Sequence, residues 1–196
     1  KGELTGKTRY ERHEPSWSME RPIKDPVRDL PAYEAATIGD DTVFDFNQAV
    51  KAWQEVGEAY LLEYHLGATF FDYYATAREG GLEAAIIDFI ELESQLQDLH
   101  LRYIDHISRV AARVCETTPF ESLFIGSSWS TMSLISPAIW RRWDKPLIKA
   151  AADVVHRYGK HLHIHLHGRC FDVIDDLAEL GIDCVCPFER PPGGDV

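Results

Sequence analysis

The longest regular pattern in the chain is an apolar stripe. Leu92, Leu96, Leu99, Tyr103, Ile107, Val110 and Val114 recur every three or four residues, which predicts one amphipathic helix over about 92–115. Thr117-Thr118-Pro119 ends it, because the residue before a proline is driven out of the helical region. His100 and His106 lie beside the stripe and read as surface or boundary positions.

Upstream the pattern is broken. Residues 1–40 are polar and carry Pro15, Pro22, Pro26 and Pro31, so they predict an arm or irregular excursion, with a short hairpin near Gly6-Lys7 and Trp17 packing it onto the body. Asp40 or Asp41 then caps a helix whose apolar side is Val43, Phe44, Phe46, Val50, Trp53 and Val56. Tyr60 to Leu66 predicts a buried strand, Gly67 to Tyr74 an aromatic loop or short helix, and Leu82 to Ile90 a short helix after the Gly80-Gly81 break.

Downstream, strand and helix alternate. Phe120 to Gly126 is a strand, with Ser127 to Thr131 as its loop. Ser136-Pro137 starts a helix that runs to about Tyr158, and Pro146 should kink or split it. His161-Leu162-His163-Ile164-His165-Leu166-His167-Gly168 follows as a strand with aliphatic residues on one face and four imidazoles on the other. Phe171 to Leu180 is a helix, Ile182 to Pro187 the last strand, and Phe188-Glu189-Arg190 its loop. Such alternation with short connections predicts parallel strands with crossover helices, in a barrel or a doubly wound sheet. In either, chemistry gathers at the carboxyl ends of the strands. The loops at 127–131, 165–169 and 186–190 should therefore converge.

The imidazole row changes the picture from fold to chemistry. Imidazole is a common metal ligand, and positions i and i+2 on a strand can offer two ligands to one ion. The plainer alternative is an exposed strand face or a run of hydrogen-bonded core histidines. Gly168 frees the backbone to turn.

Composition adds exclusions. Across 196 residues, 45% are hydrophobic and 27% charged, ordinary for a globular domain, while a net charge of −12 argues against a nucleic-acid backbone as partner. The cysteines, Cys115, Cys170, Cys184 and Cys186, lack zinc-finger spacing and are too sparse for a disulfide scaffold, so a reducing, cytoplasmic compartment is expected. No apolar run approaches the ~18 residues of a membrane span, so no membrane partner is expected. The opening without Met and the loop-like end at Pro191 to Val196 suggest a piece of a larger protein.

From Ser122 onward the chain resembles the uroporphyrinogen decarboxylase family. The residues that carry the resemblance are Leu134-Ile135-Ser136-Pro137 with Trp140, Trp143 and Pro146-Leu147, Tyr158-Gly159-Lys160, His165-Leu166-His167-Gly168, Asp175 through Asp183, and Pro187 through Val196. A weaker likeness extends to Gly67-Ala68-Thr69-Phe70-Phe71 and Gly81-Leu82-Glu83. The resemblance implies an α/β fold, a partial TIM (β/α)8-type barrel of about four parallel strands with crossover helices, with residues 41–196 as its central part. A whole barrel has eight strands.

It also implies two activities. One branch is the metal-free decarboxylase of porphyrin biosynthesis, acting on a tetrapyrrole; its key region is not among these residues. The other resembles corrinoid-linked methyltransferases that act on a thiol such as coenzyme M, with a zinc site built on a His-x-Cys-Gly strand and a later cysteine. His165 and Gly168 match that motif, whereas His167 stands where the cysteine usually is. A metal held by His165 and His167 is therefore expected, zinc or another divalent ion. A third reading is a relative that binds metal or a corrinoid partner without turnover. Around the metal, Glu189 is assigned a catalytic, ligating or outer-shell role, and Ser128, Trp129, Arg169, Cys186 and Asp72 are assigned to the substrate pocket by position. The expected partners are a small-molecule thiol or tetrapyrrole, a corrinoid protein, and a second copy of the chain, because open sheet edges tend to pair.

Overall fold

The computed structural model describes residues 3–39 and 45–196. A four-stranded parallel sheet forms its centre, in the order β3 (Glu63–Ala68), β4 (Ser122–Gly126), β5 (His161–His165) and β6 (Cys184–Cys186). Sequential parallel neighbours joined by helical crossovers are half of a (β/α)8 barrel, so the α/β partial-barrel expectation holds. Among the described residues no helix is long and apolar enough to cross a membrane.

One face of the sheet is dry. Leu66, Leu123, Ile125, Leu162 and Ile164 are buried, on the side where α5 (Glu93–Thr117) meets β3 and α7 (Lys145–Arg157) meets β5. The predicted stripe on α5 is the buried one, with Leu96, Leu99, Tyr103, Ile107, Val110 and Val114 in the core. His100 and His106 are buried as well, which corrects their placement at the surface. His100 lies against the rings of Phe70 and Trp143, at 4.6 Å and 5.4 Å, and burial lowers its pKa to about 4. It is a neutral core residue at physiological pH.

Proline acts as expected downstream. Ser136 Oγ accepts the amide of Ile139, Pro137 opens α6 (Pro137–Trp143), and the helix is split before Pro146, which sits in the first turn of α7. The predicted Phe171–Leu180 helix is a 3-10 turn at Phe171–Val173 followed by α8 (Ile174–Glu179). The strand expected from Tyr60 begins only at Glu63, and Tyr60 and Leu61 are exposed.

The amino-terminal segment is more ordered than its prolines predicted. The hairpin exists, β1 (Lys7–Arg9) paired antiparallel to β2 (Trp17–Glu20), but Trp17 is 58% exposed and does not anchor it. Ile23, fully buried, is the anchor, exchanging backbone hydrogen bonds with Ala77 and Glu79. A helix, α1 (Pro26–Thr37), follows where an irregular arm was expected. Asp25 caps it through the Arg28 amide, and Pro26 occupies the first turn, where a missing N–H costs nothing. α2 (Asn47–Val56) begins later than expected; its proposed cap, Asp40 or Asp41, and Val43 and Phe44 lie outside the described residues.

α3 (Phe70–Ala75) and α4 (Gly81–Glu91) form an aromatic plug beside the carboxyl end of β3. Phe70 packs on Trp143 at 5.6 Å and Phe71 on Phe89 at 5.0 Å.

Candidate functional site

The other face of the sheet carries the chemistry. Strand alternation puts Glu63, His65, Ser122, Phe124, His161, His163, His165, Cys184 and Cys186 on it. Near the amino ends of the strands the polar groups pair with one another, save for His163 Nε2, which is buried without a hydrogen-bond partner among the described residues. Ser122 Oγ donates to Glu63 Oε1 at 2.5 Å, and Glu63 Oε2 meets His163 Nδ1 at 2.8 Å. Asp183 binds His156 at 2.8 Å and His161 at 3.1 Å and accepts the Leu162 amide. His161 and His163 thus have carboxylate partners of their own. Phe124 fills the middle, with the rings of His65, His163 and His165 at 5.4, 5.0 and 5.8 Å.

The carboxyl end differs. The His165 and His167 rings stand nearly perpendicular, centroids 4.3 Å apart. His165 Nδ1 lies 3.3 Å from Cys186 Sγ, its register partner on β6. His167 Nδ1 lies 3.5 Å from Glu189 Oε2. Burial, with His167 close by, lowers the pKa of His165 and favours its neutral, ligand-competent form. The Gly168 amide donates to Glu189 and holds its pKa below the ordinary carboxylate value, with His167 adding to the effect.

The three loops converge as the topology requires. The Met132 amide donates to Arg169 O at 3.0 Å, and the Arg169 amide donates to Ser133 Oγ at 3.0 Å. Glu189, from the β6 loop, grips Gly168. Gly168 has φ 70°, and a Cβ there would come within 2.7 Å of Ser133 Oγ and 2.8 Å of Thr131 Oγ1, so glycine is required twice over.

The remaining candidates divide by what they touch. Ser128 is exposed, and Trp129 is half-buried, with the Arg21 guanidinium 4.9 Å over its ring. Arg169 is exposed, with its side chain 3.5 Å from Asp195. Asp195 also accepts the Cys170 amide and so closes the β6 loop onto the β5 loop. Asp72 is buried and turned inward: it accepts the amides of Trp129 at 2.8 Å and Ser130 at 3.3 Å, and Thr69 Oγ1 at 3.3 Å. It shapes the β4 loop rather than presenting a carboxylate to solvent. Burial raises its pKa against those hydrogen bonds.

Asp144 was not singled out from the sequence. It is fully buried between α6 and α7, accepts the Phe71 amide at 2.9 Å, and is bonded by Ser130 Oγ. Burial pushes its pKa up to about 7, against the pull of those bonds. An aspartate directly before Lys145-Pro146, where a helix must break, was the available signal.

Among the described residues no three His, Cys, Asp or Glu side chains group closely enough to hold a metal ion. The donor set is nonetheless of the right kind. A ligating imidazole usually has its second nitrogen held by a carboxylate or similar acceptor, and Glu189 stands in that relation to His167. The Nε2 atoms of His165 and His167 have no hydrogen-bond partner among the described residues. Two nitrogen ligands therefore fit, with further donors needed from a substrate or from additional chain.

No family model matches the chain. No curated protein matches it either. Among solved structures it is similar to a methyltransferase from Methanosarcina mazei, with a TM-score of 0.60 at 13% identity over 93% of this chain. The chain spans about half of that protein, 52% of its length. At this identity the likeness establishes the fold: a parallel α/β half-barrel with its loops gathered at the carboxyl ends of the strands.

Proposed function

We propose that the chain is part of a metal-dependent, methyltransferase-like enzyme related to the uroporphyrinogen decarboxylase family, moving a methyl group between a corrinoid carrier and a thiol. The observation that carries the reading is the pair His165 and His167 at the carboxyl end of β5, one imidazole backed by Glu189. The fold shared with a methyltransferase supports it.

His165 and His167 would hold zinc or a similar divalent ion. Bound there, the ion would lower the pKa of a coordinated thiol and keep it as thiolate at neutral pH. The thiolate sulfur supplies the electron pair of the new sulfur–carbon bond, the carrier keeps the pair of the bond that breaks, and the thiol proton goes to solvent. The chain's own residues orient and enclose. Glu189 fixes the His167 ring and the Gly168 turn. Trp129 and Ser128, on the loop held by Asp72, would form one wall of a substrate pocket, and Arg169 would place a cation at its rim. The edge strands β3 and β6 have no outer neighbour among the described residues, and a second copy or further strands of a longer chain would cover them.

The test is methyl transfer from a methylated corrinoid to a small thiol with zinc-loaded protein, followed by thioether formation. Turnover that falls at least tenfold in His165→Ala is expected. Zinc-loaded, folded protein that transfers no methyl group across a panel of thiols would overturn the reading.

A further inference from the structure

Two carboxylates are buried on either side of Ser130. Asp144, at the joint of α6 and α7, has no exposure, and Asp72, on α3, is 3% exposed. Ser130 joins them: its amide donates to Asp72 at 3.3 Å and its hydroxyl donates to Asp144. Asp72 also accepts the Trp129 amide at 2.8 Å, and Asp144 the Phe71 amide at 2.9 Å. The β4 loop is thus gripped from α3 and from the α6–α7 joint through one serine.

Among the described residues neither carboxylate meets a Lys, Arg or His side chain. The cations next to Asp144 along the chain are engaged elsewhere, Arg142 with Glu93 at 3.2 Å, and Lys145 with Asp176 at 2.8 Å and Glu179 at 2.7 Å. From α5, Tyr103 is kept protonated, by burial first and by both carboxylates besides, and burial keeps His100 neutral. From β5, His165 feels the Asp72 charge, yet burial favours its neutral form too. Two carboxylates in a dry site without a counter-ion do not ionise together readily, so one keeps its proton into the neutral range. That one is Asp144, pushed up to about 7 by burial.

We propose that Asp144 and Asp72 are a pH-sensitive clasp on the β4 loop: they hold it closed while one of them keeps its proton, and release Trp129 and Ser130 when both are ionised. The proton passes to solvent as pH rises, and the two charges then repel across Ser130. The helices on either side are fixed by aromatic packing, Phe70 on Trp143 at 5.6 Å, and Trp140 has no exposure. Trp129 is half-buried and Ser128 exposed, so the loop is the part that yields. A consequence for substrate, through the wall that Trp129 would form, rests on the reading above; the clasp itself does not.

Hydrogen exchange of the unaltered chain at pH 6 and pH 8, corrected for the intrinsic effect of pH, tests this. The ionised fraction of a group with a pKa near 7 rises about tenfold over that interval, so protection of the Trp129 and Ser130 amides should fall about tenfold. The amides of β5 should keep theirs. In Asp144→Asn, whose side-chain amide stands in for the protonated acid, the loop should be equally protected at both pH values. Unchanged protection in the unaltered chain, an equal loss in β5, or a loss that persists in Asp144→Asn would each overturn the proposal. If Asp144→Asn does not fold, infrared spectra of the unaltered chain decide. A protonated carboxylic-acid carbonyl band should be present at pH 6 and gone at pH 8, and its absence at pH 6 would refute the clasp. Neither readout requires methyl transfer, so failure of the proposed activity and failure of the clasp are told apart.

Discussion

Asp72→Ala should loosen the β4 loop while leaving the sheet in place. The carboxylate receives two backbone amides, Trp129 at 2.8 Å and Ser130 at 3.3 Å, and one hydroxyl, Thr69 at 3.3 Å. An alanine leaves these donors without their acceptor, at about 1–3 kcal/mol for each that stays buried. Ser130 is buried and Trp129 only half so, which places the gross loss at about 2–5 kcal/mol. Part is returned, because a buried carboxylate is removed and its repulsion of Asp144 goes with it. The net expectation is about 2–4 kcal/mol. Asp72→Asn keeps one carbonyl oxygen and should cost less, about 1–2 kcal/mol. Urea unfolding gives the difference as a shifted midpoint at constant slope. Hydrogen exchange at the Trp129 and Ser130 amides locates it, and the amides of β5 should stay protected. A loss under about 1 kcal/mol in the alanine variant, or unchanged exchange at those two amides, would refute the reasoning.

Three further outcomes follow from the same structure. Asp144 has its pKa raised from 3.8 to about 7, so the folded state holds a proton that the unfolded chain gives up; its stabilising contribution is complete below 3.8 and declines as pH rises to 7. The stability of the unaltered chain relative to Asp144→Asn should therefore fall by about 4 kcal/mol between pH 4 and pH 8, and a flat difference in paired denaturation curves would contradict the assignment. Leu162→Ala, at a position with no exposure on the helix-covered side of β5, should cost about 2–5 kcal/mol by urea denaturation; less than about 1 kcal/mol would place that side chain outside the core. Gly168→Ala puts a methyl group against Ser133 and Thr131 at a left-handed φ, and should cost about 1–3 kcal/mol with weakened zinc binding; a calorimetric melt unchanged from the parent would show that the turn is not constrained as described.

Much of the architecture was legible because its causes are local. The α5 stripe, the Ser136-Pro137 start and the Pro146 break are each set within one or two helical turns. The alternating histidine strand and the strand–helix–strand order led to the parallel sheet and the convergence of its loops. What stayed hidden depends on partners far along the chain. Asp72 reaches the β4 loop across 57 residues, and Asp144 reaches Phe71 across 73. His163 finds Glu63 at a separation of 100 residues, so spacing alone could not show which imidazoles of the row have carboxylate partners. Some misses were failures to apply a local rule. His100 lies four residues after Leu96 and three before Tyr103, which is on the buried stripe; its polarity obscured its position. Pro26 and Pro31 read as breakers, but one sits in the first turn of α1 and the other is carried within the helix.

The central claim is that His165 and His167 form a metal site at the mouth of the half-barrel, and the most direct test is metal content. Protein prepared without a histidine tag should carry, or take up, about one equivalent of zinc per chain, and that zinc should be lost in both His165→Ala and His167→Ala while the variants remain folded. Protein that contains no zinc and takes none up from solution, or that keeps its zinc in both variants, would contradict the account.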